Sequence, residues 1–352
     1  MIRERYAVWN NKGGVGKSTL TFHLATQYAA SNPNENVLVL DMCPQANSTM
    51  MLLGSGTKGE DSLIEMENRF PAPTIAGYIT ERIKRQTGVS DRIHPATDWV
   101  VKPCEYNNNL PCNLFLVAGD GNLELLAAPI AYYSNAQFPA GAWGAVHRWV
   151  RELTDEIAGN EGNWTVFVDT NPSFAIYTEL AMIAADKLIV PFNADDSSRH
   201  AVSAIARLLY GAGTANPVYD QFTFRHRTRE NHLTPPKLHL FVGNRFTQYK
   251  GSASAFSALH KAVGDSLWEV YIKNNSIFTN SDVICEGKDD FLKRYSAEIR
   301  DFNTAGVVAA HYGQLLSDLK DKTYDVHGTS VEVRLRRVEG CIESINELIL
   351  KI

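Results

Sequence analysis

The stretch Tyr6-Ala7-Val8-Trp9-Asn10-Asn11-Lys12-Gly13-Gly14-Val15-Gly16-Lys17-Ser18-Thr19 decides how the rest of the chain is read. Its first four residues are apolar and short enough for a buried strand. Its middle is rich in glycine. The residues that follow, Leu20 to Ala30, place Leu20, Leu24, Ala25 and Tyr28 at helical spacing. A strand, a glycine-rich loop ending in Gly-Lys-Ser, and a helix form the setting in which such a loop binds phosphate. Backbone N–H groups of Gly13, Gly14, Val15, Gly16, Lys17, Ser18 and Thr19 can converge on an anion at the helix N-terminus. Glycine lets the backbone approach without a Cβ in the way. Lys17 brings a point charge to the phosphates, and the Ser18 hydroxyl is suited to Mg²⁺.

Working outward, two further apolar runs end in a carboxylate. Val37-Leu38-Val39-Leu40 leads to Asp41, and Trp164-Thr165-Val166-Phe167-Val168 leads to Asp169. Continuous apolar runs of this length read as parallel strands buried on both faces. Carboxylates at their C-terminal ends lie where open α/β sheets bind ligands. Asp169 has the geometry that holds Mg²⁺ through water. Leu114–Val117, Leu188–Val190 and Lys237–Phe246 supply further strands, the last ending in Asn244-Arg245. Helices are expected at Thr74–Gln86, Trp143–Ile157, Ser197–Leu209 and Phe302–Leu319. The expected fold is α/β, a doubly wound, mainly parallel sheet flanked by helices, with insertions and a C-terminal extension.

The loop departs from the standard phosphate-binding pattern. Asn11 stands where a glycine is usual, and Lys12 follows it. Asn11-Lys12-Gly13-Gly14-Val15-Gly16-Lys17-Ser18-Thr19 resembles the deviant Walker A loop of the ParA/MinD family of P-loop ATPases, in its ParA branch. Asp41-Met42-Cys43-Pro44-Gln45-Ala46-Asn47 resembles the family's Asp-x-x-Pro-Gln-x-Asn stretch. Asp169-Thr170-Asn171-Pro172-Ser173 resembles its Asp-Thr-Pro-Pro-Ser, with Asn171 as the departure. The resemblance is close over residues 5–50, moderate over 113–250 and weak beyond.

That resemblance implies an ATP-dependent dimerising switch. ATP or ADP and Mg²⁺ would be the ligands, with hydrolysis to ADP and phosphate. Lys12 would reach across a nucleotide-sandwich homodimer to the partner's phosphates. Lys12, Lys17 and Asp41 would carry catalysis, Asp41 by positioning the attacking water and by water-mediated contact with Mg²⁺. Ser18 and Asp169 would hold the metal, and Asn244 with Arg245 would face the adenine. Members of this branch partition plasmids or chromosomes, coat DNA non-specifically, and are stimulated by a partner protein such as ParB. Two readings compete: a MinD-like positioning ATPase on membrane or protein cargo, and a nucleotide-dependent scaffold that does not bind DNA.

The 352-residue chain carries a formal net charge of −5, which excludes bulk attraction to polyanions. DNA contact therefore needs a local patch. The candidates are Arg225, Arg227 and Arg229, interleaved with Phe222 and Phe224, and Arg334, Arg336 and Arg337. No helix-turn-helix segment precedes the first strand, so operator-specific binding is not expected. The five cysteines form no CxxC pair and read as reduced thiols. The N-terminus runs straight into the first strand with no room for a targeting peptide, so a cytoplasmic location is expected, nucleoid-associated if the chain binds DNA.

Residues 1–320 read as the ATPase domain, with an enlarged insertion at about 54–112 that opens on a glycine-rich loop, 54–59. Residues 250–300 show no clear pattern. Residues 321–352 read as an extension that packs on the core or on another subunit. Val331–Arg336 alternates like a strand, and Val338, Cys341, Ile342, Ile345, Leu348, Ile349 and Ile352 form a helical stripe. Glu339, Glu343 and Glu347 on its polar side argue against a membrane partner.

Overall fold

The computed structural model describes residues 1–136, 140–159, 162–193, 195–212, 216–246 and 253–352, with side chains at all of these except 196–199, 217, 245–246, 253–261 and 303. Apolar strands with no polar face must be covered twice, and the chain satisfies this by winding helices over both sides of one sheet. Its strands are β1 (Ile2–Val8), β2 (Asn36–Met42), β3 (Leu114–Val117), β4 (Trp164–Thr170), β5 (Lys187–Asn193), β6 (Lys237–Phe246) and β7 (Ser296–Arg300). They lie side by side in the order β3-β2-β4-β1-β5-β6-β7, and every pairing is parallel.

Successive residues of a strand point to opposite faces. On β2, Val37 and Val39 enter one apolar cluster while Leu38 and Leu40 enter the other. The first cluster is closed by α1 (Lys17–Ser31) and α2 (Asn47–Leu52). The second takes in Trp149, Val150 and Leu153 of the helix Ala142–Ala158, and Leu180 and Ile183 of the helix Ile176–Ala184. Residues 54–112 hold α3 (Gly56–Glu67) and α4 (Ile75–Gln86). Thr74 caps α4, its hydroxyl accepting from Gly77 N at 3.1 Å. Ile75, Tyr78 and Ile79 of α4 join Leu38 and Val166 in one cluster, so this segment is part of the wall of the domain.

Several expectations need correction. Gly56 to Gly59 open a helix rather than a loop. A Cβ on Gly59 would sit 2.9 Å from the Met50 carbonyl oxygen, so glycine here serves a close approach of α3 to α2. The expected Phe302–Leu319 helix runs only Asn303–Tyr312, because Gly313 turns left-handed (φ +55°) and ends it. The stretch 253–300 folds into defined elements: a helix Ala253–Lys273, a helix Lys288–Tyr295 and the edge strand β7. Cys104 and Cys112 are joined as a disulfide, against the expectation of reduced thiols throughout, whereas Cys43, Cys285 and Cys341 are free and buried.

The tail folds as a hairpin of β8 (Lys322–Val326) and β9 (Thr329–Val333), then a helix Leu335–Ile349. The strand expected over 331–336 thus stops at Val333, and Arg336 lies in the helix. Val338, Cys341, Ile345 and Leu348 are buried in the cluster that holds Leu20 and Leu24 of α1. Gln27 of α1 donates to Asn346 at 3.2 Å, and the Lys351 carbonyl lies 2.9 Å from His239 Nε2. The apolar stripe is therefore used within this chain. No helix among the described residues is long and apolar enough to cross a membrane.

Candidate active site

Strand order brings the site together. β4 lies between β1 and β2, with Val8 opposite Asp169 and Asp169 opposite Asp41. The loop after β1 and the two carboxylates thus come from three adjacent strands at their C-terminal ends, as the sequence reading requires.

The loop is pinned from below and shaped by left-handed glycines. The buried Asn10 amide donates to the Pro191 carbonyl at 2.8 Å and accepts from Lys12 N at 3.0 Å. Gly14 (φ +71°) and Gly16 (φ +83°) hold conformations that side chains disfavour. At Gly16 a Cβ would also meet the Asn244 amide nitrogen at 2.3 Å. Lys17 is buried, and its Nζ donates to the Lys12 carbonyl at 3.0 Å, so the chain wraps around its own ammonium group. Burial pushes the Lys17 pKa down, and Asp169 opposes that shift. Gly13, Gly14, Gly16, Lys17, Ser18 and Thr19 face a cleft of about 530 Å³ whose far wall is Asn47, Met50 and Met51 of α2.

Asp41 and Asp169 are fully buried side by side. Desolvation raises the pKa of both, and the Asp41 charge raises Asp169 further. Asp41 is well satisfied. One oxygen accepts from Cys43 N at 3.0 Å, and the other accepts from Thr49 N at 3.0 Å and the Thr49 hydroxyl at 2.7 Å. Asp169 is not. Its Oδ1 accepts from Thr170 N at 3.0 Å, while Oδ2 is buried with no hydrogen-bond partner among the described residues. The Ser18 and Ser48 hydroxyls lie on its side of the site and hold its pKa back. An orphaned buried carboxylate oxygen is costly, and it fits a site built for a cation. Carboxylate and hydroxyl oxygens are the donors that Mg²⁺ prefers. Asn171, the departure from the family loop, caps its own turn by accepting from Ser173 N at 2.9 Å.

Other expected residues fall in different places. Lys12 is paired with Asp195, a partner with no signal in the sequence. The Asn244 amide donates to the Val15 carbonyl at 2.9 Å and so abuts the phosphate loop directly. The Arg245 side chain lies outside the described residues. The arginines do not form one patch. Arg225 donates to the Tyr210 carbonyl at 3.2 Å, Arg227 stacks 5.3 Å over Trp143, and Arg229 is exposed. They lie on the helix Phe224–Glu230, whose Phe224 packs into one face of the sheet. Arg334, Arg336 and Arg337 are exposed beside Val338, which packs into the other face, and Arg334 pairs with Glu332 at 3.2 Å. Sequence reasoning also passed over Asn10 and Thr49, whose roles depend on contacts distant in sequence.

Residues 4–107 match the family model of an AAA domain. The chromosome partitioning protein ParA of Caulobacter vibrioides (strain NA1000 / CB15N) is 26% identical over 215 residues, 60% of this chain and 64% of that protein. An uncharacterized Pseudomonas putida protein is 25% identical over 193 residues, 54% of this chain and 56% of its own length. The chain thus spans less than two thirds of the curated relatives it matches. Among solved structures, apo McdA of Cyanothece superposes with a TM-score of 0.56 at 17% identity, covering 99% of this chain and 100% of that one. A single-substitution variant of the same McdA in complex with ATP gives 0.55 at 16% identity, covering 99% and 96%. The pNOB8 ParA structure gives 0.51 at 14% identity, covering 84% and 81%. The chain therefore shares the fold of these structures, and the family match takes in its first strand and the Lys12-bearing loop.

Proposed function

We propose that the chain is a Mg²⁺-dependent ATPase of the ParA type that dimerises on ATP and hydrolyses it to ADP and phosphate. The observation that carries this reading is the buried, unpartnered Asp169 Oδ2 beside the left-handed glycine loop. Nucleotide binding falls to the loop N–H groups and Lys17. Ser18 and Asp169, the latter through water, would hold Mg²⁺, which when bound supplies positive charge against the phosphate oxygens. Asp41, adjacent to Asp169 and also able to reach the metal through water, orients the attacking water. Asn244 supports the loop at Val15 and, with Arg245, borders the adenine.

In this reading Lys12 exchanges Asp195 for the phosphates of a second copy, so each site is completed in trans. Catalysis is mostly placement and charge stabilisation. The ParA similarity supports partition of a DNA cargo as the role, with a ParB-like stimulating protein and non-specific duplex DNA as partners. Of the basic candidates Arg225, Arg229, Arg334, Arg336 and Arg337 are exposed, and Arg227 is half-buried. Burial of the tail's apolar stripe disfavours the membrane alternative.

Phosphate release, with and without duplex DNA, tests the activity alongside size-exclusion chromatography in ATP and ADP. Wild type is expected to release phosphate and to shift to a dimer in ATP alone. Lys12→Ala should keep ATP binding and lose the dimer or turnover. Full turnover in Lys12→Ala would overturn the sandwich. DNA retention that is ATP-dependent and falls steeply with salt is expected, and no retention at low salt would remove DNA from the proposal.

A further inference from the structure

We propose that Thr49 is the positioning residue for Asp41, and that it ties the carboxylate's orientation to the Gly119–Asp120 turn. The inference rests on the ATPase reading above. Asp41 is 0% exposed, so its direction is set by protein donors. Cys43 N, two residues away, fixes one oxygen locally. The other oxygen depends on Thr49, through both its backbone N and its hydroxyl.

A hydroxyl carries one proton and two lone pairs. The Thr49 hydroxyl gives its proton to Asp41 at 2.7 Å and accepts the Gly119 N–H at 2.9 Å. The order Gly119 N–H, Thr49 O–H, Asp41 carboxylate is therefore directional, each bond polarising the next. The turn also touches the carboxylate itself. A Cβ on Gly119 would lie 2.8 Å from Asp41 Cγ and 3.1 Å from the Asp41 carbonyl oxygen. Only glycine allows the β3 turn to close on Asp41 this tightly.

The turn is held from its other side as well. Ile75 N at the start of α4 donates to the Ala118 carbonyl at 2.8 Å, and Asp120 accepts from Asn122 N at 2.7 Å. Thr49 sits in α2, which walls the nucleotide cleft through Met50 and Met51. One hydroxyl thus links the cleft wall, the Asp41 carboxylate and the turn after β3. Displacing the turn would remove the donor that directs the Thr49 hydroxyl at Asp41 while Thr49 N keeps its bond to the same oxygen, so this linkage bears on turnover rather than on nucleotide affinity.

The experiment compares wild type, Thr49→Ser, Thr49→Val and Gly119→Ala. It reads single-turnover phosphate release, the Kd for Mg²⁺–ATP and amide exchange at Gly119 in the nucleotide-free protein. A hydrogen bond to a charged group matters enough that Thr49→Val should cut kcat roughly tenfold to a hundredfold, with Kd within about twofold. Thr49→Ser should recover most of the rate, to within about threefold of wild type, and Gly119→Ala should lose rate although the hydroxyl remains. Gly119 exchange should accelerate in Thr49→Val and not in Thr49→Ser. Wild-type turnover in Thr49→Val overturns the proposal, and so does a serine variant as impaired as the valine one. A wild-type chain that binds ATP without hydrolysing it sinks the ATPase reading itself, an outcome distinct from an active wild type with an equally active Thr49→Val.

Discussion

Helix α1 belongs to two regions of opposite character. Its N-terminus carries Lys17 and Ser18 into a site of left-handed glycines, two adjacent buried carboxylates and an orphaned oxygen. Its flank carries Leu20 and Leu24 against the tail helix, where apolar side chains meet and Gln27 bonds Asn346. At the site, structure is held in a state that is unfavourable without a ligand. At the tail, burial itself stabilises, at about 25 cal/mol for each Å² of apolar surface removed from water. The difference teaches which residues to read as chemistry and which as fastening, although both lie on one helix.

Four measurements sharpen or break that contrast. The largest effect is expected from Lys17→Ala, which removes the ammonium the loop is wrapped around. It should weaken Mg²⁺–ATP binding by roughly a hundredfold or more, read by titration, since charge-assisted bonds to phosphate are the strong ones. The apo melting temperature should barely move, and a large drop would mean that the site is fastening after all. Ile345→Ala comes next, with the opposite profile. Deleting a fully buried branched side chain costs about 2–5 kcal/mol in denaturant unfolding. ATP affinity of the folded fraction should be unchanged.

The third measurement uses pH. Burial lowers the His239 pKa to about 4 and the His23 pKa to about 3. His239 is bonded to Thr279 and to the Lys351 carbonyl of the tail, and His23 packs 4.6 Å from the Phe302 ring. Both folded values lie below the unfolded value of about 6.5, so the unfolded chain binds more protons between them. Stability is therefore full above about pH 6.5 and lost as pH falls toward 4. Denaturant midpoints at pH 7 and 4.5 should differ by more in wild type than in His239→Gln, and equal slopes would refute the assignment. The smallest effect is expected from Asp169→Asn. Relieving one of two adjacent buried carboxylates should raise apo stability by about 1 kcal/mol at neutral pH, because burial and Asp41 already disfavour its charge. The same variant should lose stabilisation by Mg²⁺–ATP, and an unchanged Mg²⁺ response would break the metal assignment.

Legibility in the sequence followed the range of the signal. The loop, both carboxylate strands and the helix Thr74–Gln86 could be read because each is specified within about a dozen residues. Val37–Leu40 had to be a doubly covered strand whatever surrounded it. The segment 54–59 misled because glycine was taken as a loop former, while Gly59 is needed for contact with Met50. β7 went unseen because Ser296-Ala297-Glu298-Ile299-Arg300 offers one fully buried apolar side chain and pairs on one edge only. Cys104, in the short 3-10 turn Pro103–Glu105, and Cys112 are eight residues apart, a spacing that carries no signal.

The sequence by itself determined that a glycine-rich loop ending in Gly-Lys-Ser follows a strand, that two carboxylates end two others, and that a second lysine stands in the loop. These are local consequences of backbone freedom, apolar periodicity and side-chain chemistry. Tertiary structure alone decided which groups meet there. It set Asp41 and Asp169 side by side, Asn244 against Val15, Lys12 on Asp195, and the Thr49 hydroxyl between Asp41 and Gly119. Those pairings join residues from different strand ends and from α2. They come from strand order and helix placement, which only packing of the whole chain can choose.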